Sequence, residues 1–275
     1  MTDYQLVLGK MKNKFLVTVN NLKIVNELKK VGISTFLFPL KDYTVGFPNT
    51  FEISEIKANN AYIFINRILS SEEIDDLRKL LHNLPSNIKG IMFDDLGVLE
   101  IIKDINVEKI LYLNHFSTNY ESINYFLEYV DSLVISTDIT KEEIYEILNK
   151  ANKPLVLHAF GYVPVMYSRR KLLSNFNKHF SLENKNIANI KDKLVNNKFF
   201  VFENEFGTVL FNHLPSNSLE INHDKILYNY INTAFIKDED VMKVFNNILK
   251  NEPINIECDR GFLDRPTIYK LKDGD

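Results

Sequence analysis

Cysteine is almost missing from this chain, in which Cys258 is the single example among 275 residues. One thiol cannot close an intrachain disulfide, and it cannot supply the four thiolates of a structural zinc or iron–sulfur site. We therefore expect no metal site and no iron–sulfur cluster, and the sequence indicates no other cofactor. A chain without disulfides suits a reducing compartment, which favours a cytoplasmic location.

Long apolar runs and an excess of one charge are missing as well. No apolar stretch approaches the roughly 18 residues that span a bilayer, and the N-terminal segment lacks the small-residue cleavage site of a signal peptide. The 33 basic residues nearly balance the 36 acidic ones, for a net charge of −3. This balance provides no global attraction to nucleic acid or to anionic lipid. We expect neither membrane association nor DNA binding, although a local basic patch is compatible with these numbers.

Short apolar runs recur along the first 160 residues at intervals typical of β/α units. They are nearly continuous rather than alternating, as expected of parallel strands covered on both faces. The predicted strands are Phe15–Val19, Thr35–Phe38, Tyr62–Ile65, Gly90–Phe93, Ile110–Leu113, Leu133–Ile135 and Leu155–Leu157.

Amphipathic segments with helical spacing lie between these runs. Ser70 precedes Glu73 by three positions and Thr140 precedes Glu143 likewise, and both pairs predict capping boxes at helix starts. The apolar faces of three helices are formed by Leu22, Val25, Leu28 and Val31, by Ile74, Leu77, Leu80 and Leu81, and by Ile144, Ile147 and Leu148.

An eighth unit follows a long interruption, with a strand predicted at Ile226–Phe235 and a helix at Asp238–Leu249. Eight β/α units predict a TIM-like (β/α)8 barrel forming a single α/β domain over residues 1–275. The alternative is an open, doubly wound sheet.

The interruption, residues 162–222, has a different texture. Val165–Phe176 is predicted to be helical, and Phe199–Phe202 and Thr208–Phe211 form a β-hairpin whose turn contains Gly207. We expect this segment, with its helix and hairpin after strand 7, to be an insertion on the C-terminal rim of the barrel. Residues 253–275 are expected to form a strand-rich tail that packs against the barrel.

Polar residues follow most of the predicted strands, at the barrel end where active sites lie. Each of them is also explained by a helix cap or a turn, and one residue of the Asp94–Asp95 pair is expected to face the next helix. The strand-end residues are Asn20, Asn66, Arg67, Asp94, Asp95, Asn114, His115, Ser136, Asp138 and His158. The catalytic candidates are Asp94, Asp138, His158 and Ser168, and the ligand-binding candidates are Asn66, Asn114, Tyr167, Arg169 and Arg170.

Arg169 and Arg170 stand out in the segment after the seventh strand. At a barrel mouth, a guanidinium can hold a carboxylate or phosphate through two hydrogen bonds. We expect one of the two side chains to point into the pocket. The alternative is a pair that faces solvent or pairs with a rim carboxylate.

The stretch from Pro154 to Asn175 resembles the signature of the collagenase-like peptidase family, the peptidases of unassigned mechanism, family 32. The signature parts are Leu155–His158, Phe160-Gly161, Tyr167-Ser168-Arg169-Arg170 and Leu173–Phe176. Three further segments resemble the family in the same order along the chain, namely Phe93–Gly97, Ile135–Ile144 and Phe202–Asn212 with its Gly207-Thr208 pair.

The chain departs from the family pattern at two places. Many members carry cysteines just after the Ser-Arg segment, some of which bind a four-iron cluster, whereas this chain has Lys171, Leu172 and Leu173 there. The family glutamate after Ser136 is replaced by Asp138, which keeps the carboxylate and shortens its reach. The chain is thus similar to a short, cysteine-free member.

The resemblance implies three alternative functions. The first is a peptidase, although no nucleophile–base spacing and no zinc motif is evident in the sequence. The second is a factor in hydroxylating a tRNA or rRNA base, in which the chain acts as a non-catalytic partner of a larger paralogous subunit. In that case Arg169-Arg170-Lys171 and Lys178-His179 would lie near phosphates. The third is a module that binds a small anionic ligand. RNA and peptide are the expected substrate classes.

Overall fold

The computed structural model describes residues 15–191 and 198–265. Its main sheet has nine strands in the order β12-β7-β13-β1-β2-β3-β4-β5-β6. All neighbours are parallel except β12, which pairs antiparallel with β7. The strands are β1 (Phe15–Thr18), β2 (Thr35–Pro39), β3 (Ala61–Ile65), β4 (Ile88–Phe93), β5 (Glu108–Leu111), β6 (Ser132–Leu133), β7 (Leu155–Gly161), β12 (Ser216–Asn217) and β13 (Ile226–Asn232).

The row of strands curls so that its two ends approach each other. Val134, just after β6, forms a parallel bridge with Val156 of β7. The backbone N–H of Ile135 donates to the carbonyl of Val156 at 2.9 Å. All the predicted strands are present, including the late one near residue 226. The chain is therefore a mixed α/β fold built on a curled, mainly parallel sheet.

Each parallel strand is apolar on both faces because both faces are covered. Leu16, Leu37 and Met92 point to the inner side of the curl, where they belong to one buried cluster. Their chain neighbours, such as Val17 and Ile91, belong to a larger cluster beneath the helices. This two-sided burial explains why the strands appear in the sequence as continuous apolar runs.

Helices alternate with the strands, and the two predicted capping boxes lie at helix starts. Both capping boxes are formed, with Ser70 and Thr140 accepting from the N–H groups of Glu73 and Glu143. On the first helix, Ile24 is buried and Leu22 is exposed, so that apolar face is rotated from the predicted one. The helices are α1 (Leu22–Lys30), α2 (Ser71–Leu81), α3 (Leu96–Ile102), α4 (Tyr120–Phe126), α5 (Lys141–Lys150), α6 (Leu172–His179) and α7 (Asp238–Lys250), with a 3-10 turn at Ile53–Glu55.

Four further strands within the described residues 164–191 and 198–212 build a second, antiparallel sheet in the order β8-β11-β10-β9. The predicted hairpin is confirmed, since β10 and β11 pair around the turn that ends at Gly207. The strands are β8 (Pro164–Ser168), β9 (Ile187–Lys191), β10 (Lys198–Asn204) and β11 (Gly207–Asn212).

The predicted helix over Val165–Phe176 is wrong in its first half. Pro164–Ser168 is the strand β8, which gains its backbone partners from β11. Helix α6 starts only at Leu172, where the carboxylate of Glu203 accepts from the free N–H groups of the first turn. A tertiary partner therefore decides where this helix begins, and such a partner is invisible in local spacing.

The second sheet packs against loops at the C-terminal ends of the parallel strands. Phe202, Val209 and Phe211 form a small core with Val45, which follows β2, and with Phe235, which follows β13. Gly46 allows this close approach, since it has a φ of 82° and a Cβ there would meet the ring of Phe211 at 3.1 Å.

The predicted strand-rich tail is wrong for residues 253–265. One residue, Asp259, forms an isolated bridge with Ser216, and the rest are turns and irregular backbone. The side chain of Asp259 accepts from the N–H groups of Arg260 and Gly261, which favours a turn over an extended strand. The tail does pack on the sheet's helices through buried Leu263. Residues 266–275 of that prediction lie outside the described residues.

Within residues 15–191 and 198–265, no helix has the length and apolar character needed to cross a membrane.

Candidate functional site

A cavity of about 260 Å³ lies between the C-terminal ends of the parallel strands and the second sheet. Strand-end residues supply its floor, and β8 and β11 supply the opposite wall. It is lined by Val45, Gly46, Phe47, Phe64, Asn66, Asp94, Tyr112, Leu113, Asn114, His115, Phe116, Pro164, Val165, Met166, Tyr167, Val209, Phe211, Tyr230 and Asn232.

Aromatic rings form a continuous wall within this cavity. Phe47 meets Phe64 edge-to-face with centroids 5.5 Å apart, and Phe64 meets Tyr112 in the same way at 5.9 Å. Tyr112 in turn meets Tyr230 at 6.5 Å. Edge-to-face pairs are a favourable packing of rings, so this wall is preformed and does not need a ligand to assemble.

Asp94 is the acidic residue of the cavity. It follows directly on β4, while its neighbour Asp95 turns away and caps α3 by accepting from the N–H of Gly97 at 2.7 Å. The expected division of labour within the aspartate pair is thereby confirmed. Burial, together with the negative charge of Asp95, raises the pKa of Asp94 to about 7. In the described part of the chain, no side-chain donor hydrogen-bonds to Asp94, and a backbone hydrogen bond offsets the effect of burial only in part.

His115 and Asp138 form a second polar group at the edge of the cavity. The Nδ1 of His115 lies 2.8 Å from Oδ2 of Asp138, and Nδ2 of Asn114 donates to the same oxygen at 3.4 Å. His115 lines the cavity and is largely exposed. An imidazole oriented by a carboxylate is a common way to present the second ring nitrogen to a substrate.

The asparagines of the cavity are committed to holding loops. Asn66 accepts from the N–H of Val45 at 2.9 Å and donates to its carbonyl at 3.1 Å. The Oδ1 of Asn114 accepts from the N–H and the hydroxyl of Thr137 at 3.0 and 3.1 Å. Both predicted ligand-binding asparagines therefore line the cavity, with their amides already engaged in backbone contacts.

His158 and Ser168 do not meet in this cavity. His158 is 1% exposed, and its ring packs edge-to-face on Tyr230 at 5.3 Å. Burial lowers its pKa to about 4, and neither ring nitrogen has a hydrogen-bond partner among the described residues. The Oγ of Ser168 accepts from the N–H of Arg170 at 3.2 Å. No hydrogen bond in the described chain joins the serine to the histidine as a nucleophile–base pair would require.

Arg169 and Arg170 are exposed, and neither lines the cavity. The expectation that one of them points into it is wrong. Their backbone forms the bend between β8 and α6, where the carbonyl oxygen of Arg170 lies 2.9 Å from the hydroxyl oxygen of Thr208. This bend turns both side chains toward solvent. Tyr167, predicted in the same segment, does line the cavity, and its hydroxyl donates to the carbonyl of Phe206 at 3.3 Å.

Glu203 is a buried carboxylate that sequence reasoning missed. Only 4% exposed, it accepts from the N–H groups of Leu173 and Ser174 at 2.8 and 3.0 Å, from the hydroxyl of Thr208 at 2.6 Å and from the hydroxyl of Ser174. Burial alone would raise its pKa, but these hydrogen bonds outweigh burial and hold the pKa below its usual range. The signal for it was an acidic residue in a hairpin, close to a threonine.

Arg67 fastens the hairpin to the rim. Its guanidinium lies 4.0 Å from the centroid of the Phe206 ring and pairs with Glu73, and it donates to the carbonyl of Asp42. This arginine joins the hairpin tip to the start of α2 and to the loop after β2.

In the described ranges, there is no group of three or more histidine, cysteine, aspartate or glutamate side chains that could hold a metal ion.

A search of curated proteins gave no match to this chain. Among solved structures, the U32 peptidase Mk0906 is similar with a TM-score of 0.52 at 12% identity, over 80% of this chain and 92% of that one. The spore cortex-lytic enzyme SleL of Bacillus megaterium QM B1551 reaches a TM-score of 0.39 at 11% identity, over 89% of this chain and 75% of that one. The chitinase of Chromobacterium violaceum ATCC 12472 reaches 0.41 at 10% identity, over 92% and 100%.

The first of these similarities supports the fold, whereas the other two are too loose to support an argument. The family model of peptidase family U32 matches residues 46–189, more than half of the chain. That range contains the rim residues after β3, β4 and β5 and the whole signature segment. The predicted family is confirmed, and the chain belongs to peptidase family U32.

Proposed function

We propose that the curled sheet is the wall of a TIM-like (β/α)8 barrel, that residues 162–222 are an insertion over its C-terminal end, and that the cavity between them binds a small ligand and exchanges protons with it. The bridge between Val134 and Val156 supports closure of the barrel. The observation that carries the functional proposal is Asp94, a carboxyl group in the cavity without a side-chain donor.

Asp94 has the acid strength that proton transfer at neutral pH requires. With its pKa raised to about 7 by burial and by Asp95, both protonation states are populated near neutrality. Burial raises the pKa values of Tyr112 and Tyr230 above the usual tyrosine range, so both keep their protons. The cavity thus combines one titrating group with hydroxyl donors that do not titrate.

His115 is the second proton-transfer group of the proposal. When the carboxylate of Asp138 accepts the proton on Nδ1, the Nε2 of His115 carries a lone pair. Asp94 on the floor and His115 at the edge then form an acid and a base on the same ligand. Asp138 orients the imidazole, which is a positioning role rather than a catalytic one.

A hydrolytic reaction on this site would use water rather than Ser168. No hydrogen bond in the described chain joins Ser168 to His158, whereas Asp94 or His115 can act as the base for a water molecule. Peptide hydrolysis remains within the proposal on these terms. The lone thiol of Cys258 supports a cytoplasmic setting.

RNA is the second candidate ligand, and the surface of α6 favours it. Phe176 and Phe180 are both more than half exposed, with ring centroids 4.7 Å apart, beside Lys178 and His179. Exposed rings next to cations are what single-stranded nucleic acid stacks on. In this version the chain, alone or with a larger paralogous subunit, would bind RNA for base modification.

The proposal is tested by the titration of Asp94. Selective carbonyl labelling of aspartate, followed by NMR from pH 4 to 9, should show one carboxyl that titrates near 7 and is lost in Asp94→Asn. The exposed Asp104→Asn is the matched control and should leave that titration intact. A small-molecule screen by ligand-observed NMR should yield binders that Asp94→Asn weakens. An Asp94 that titrates near 4, together with binders indifferent to the substitution, would refute the proposal.

A further inference from the structure

The residues that line the strand-end cavity include no lysine and no arginine. Their only carboxyl group is Asp94. The other prominent feature of the lining is its aromatic content, supplied by Phe47, Phe64, Tyr112, Phe116, Tyr167, Phe211 and Tyr230.

The two arginines nearest the cavity are not available to a bound anion. Arg67 and Arg169 both act electrostatically on Tyr167. The guanidinium of Arg67 is already paired with Glu73 and packed on Phe206. Arg169 is exposed, and its charge is therefore screened by water and salt. The lining of the cavity consequently offers the carboxyl group of Asp94 and aromatic rings, and no lysine or arginine.

We propose that this cavity binds an organic cation of the ammonium class, held by the aromatic wall and by the carboxylate of Asp94. This inference rests on the proposed ligand-binding function and specifies its substrate class. It replaces the small anionic ligand expected from the arginine pair.

The chemistry of the lining selects for a cation in two ways. The faces of aromatic rings carry partial negative charge and attract ammonium groups, most strongly where water is excluded. A cation beside Asp94 also compensates a buried carboxylate that has no side-chain donor of its own. An anion would face Asp94 without a lysine or arginine to hold it, and the engaged amides of Asn66 and Asn114 could not replace one.

The size of the cavity suits a small cation. Its volume of about 260 Å³ corresponds to roughly nine molecules of liquid water. A trimethylammonium group with a short polar chain fits that space. The polar end would then lie toward His115, at the cavity edge, while the charged group meets the rings and Asp94.

Cation binding should be linked to proton release. The carboxylate form of Asp94 holds the cation, so affinity should rise about tenfold for each pH unit below the pKa of Asp94 and level off above it. The other titratable groups of the lining are His115, Tyr112, Tyr167 and Tyr230, with Asp95 and Asp138 beside it. A protonated His115 would repel a cation and so act in the same direction at low pH.

The test uses three probes of nearly equal shape and different charge on the full chain. Choline is the cation, 3,3-dimethyl-1-butanol is its neutral counterpart, and 3,3-dimethylbutyrate is the anion. We expect calorimetry at pH 8 to show choline binding at least about tenfold tighter than the alcohol, with no binding of the butyrate. Asp94→Asn should weaken the preference for choline and remove most of its pH dependence, whereas the exposed Asp104→Asn should change neither.

Each outcome decides the matter. Equal affinity for choline and the alcohol overturns the cation proposal and leaves the small-ligand function standing. Tighter binding of the butyrate overturns it in favour of an anion site. If choline does not bind at about 20 mM, the cation proposal fails as well. The NMR titration of Asp94 then reports separately whether the proton-transfer function survives.

Discussion

Asp94 and Glu203 are both carboxyl groups held away from bulk water, and their surroundings drive them in opposite directions. Glu203 accepts hydrogen bonds from two backbone N–H groups and two hydroxyls, which hold its pKa below the usual range against the effect of burial. Asp94 lies at the cavity without a side-chain donor, and burial with the charge of Asp95 raises its pKa to about 7. The hydrogen-bond donors around Glu203, and the burial and the neighbouring charge of Asp95 at Asp94, together separate the two.

This difference assigns them different work. Glu203 ties the first turn of α6 to the hairpin, so the Ser174 and Thr208 of the family signature serve the architecture of the segment. The carboxyl oxygens of Asp94 have no side-chain donor in the described chain, so they are available to hydrogen-bond to a ligand. A buried acid therefore marks a candidate active site only when the protein has not already satisfied it.

Removing Glu203 should produce the largest effect. We expect Glu203→Ala to lower the free energy of unfolding by about 4 kcal/mol, because the two N–H groups at the start of α6 and the hydroxyl of Ser174 lose their acceptor. Urea unfolding followed by circular dichroism measures this. The exposed neighbour substitution Glu205→Ala is the matched control and should cost less than about 0.5 kcal/mol.

A small loss in Glu203→Ala, comparable with that of the control, would show that water replaces the carboxylate at the helix start. The contrast with Asp94 would then rest on burial alone.

The contributions of the two carboxyl groups to stability should also depend on pH in opposite directions. The folded pKa of Asp94 lies above its unfolded value of 3.8, so its contribution is complete below that value and is lost as pH rises toward 7. The folded pKa of Glu203 lies below its unfolded value of 4.5, so its contribution is present above that value and is lost as pH falls. The summed contribution of the two groups to stability should therefore be largest near pH 3.8 to 4.5 and should fall on either side.

Single substitutions should remove the two pH dependences one at a time. Asp94→Asn should be more stable than wild type at pH 8 by about 2 kcal/mol. This is about half of the free energy that corresponds to a pKa raised from 3.8 to about 7, because water in the cavity screens the charge. Near pH 4 the two proteins should be equal. Glu203→Gln should flatten the acidic limb instead. Unfolding curves at one-unit pH steps measure both, and parallel curves for wild type and Asp94→Asn would contradict the raised pKa.

Local sequence patterns predicted the elements of the curled parallel sheet well. Apolar runs such as Tyr62–Ile65 and the capping box of Ser70 and Glu73 depend on neighbours along the chain, so periodicity and spacing reveal them. The start of α6 depends on Glu203, which lies 29 positions from Ser174, the nearer of the two residues whose N–H groups donate to it. A contact of that range leaves no local trace, and the strand β8 was mistaken for helix for this reason.

The candidate site was predicted by position and not by role. Strand-end placement correctly brought Asn66, Asp94 and Asn114 to one cavity. Sequence alone does not show that the asparagine amides are engaged by Val45 and Thr137, because both partners lie on other loops. His158 was chosen as the catalytic candidate, whereas the structure favours His115. Only the distance from His115 to Asp138 reveals this.

The smallest effect is expected at the arginine pair, which lies outside both the cavity and the hydrogen-bond network of Glu203. Arg169 and Arg170 are exposed, and the described chain shows no ion pair for either side chain, so Arg169→Ala and Arg170→Ala should each change the unfolding free energy by less than about 0.5 kcal/mol. Because neither lines the cavity, choline binding should also stay within about twofold of wild type.

Their contribution should be seen instead with RNA. If the surface of α6 binds single strands, each arginine replaced should weaken the binding of a short oligonucleotide and reduce its salt dependence by about one counterion. Fluorescence anisotropy across a salt series measures this, with the distant Lys103→Ala as the control. An arginine substitution that weakens choline binding as strongly as Asp94→Asn would show that the bend between β8 and α6 closes over the cavity in solution, and would return the arginines to the site.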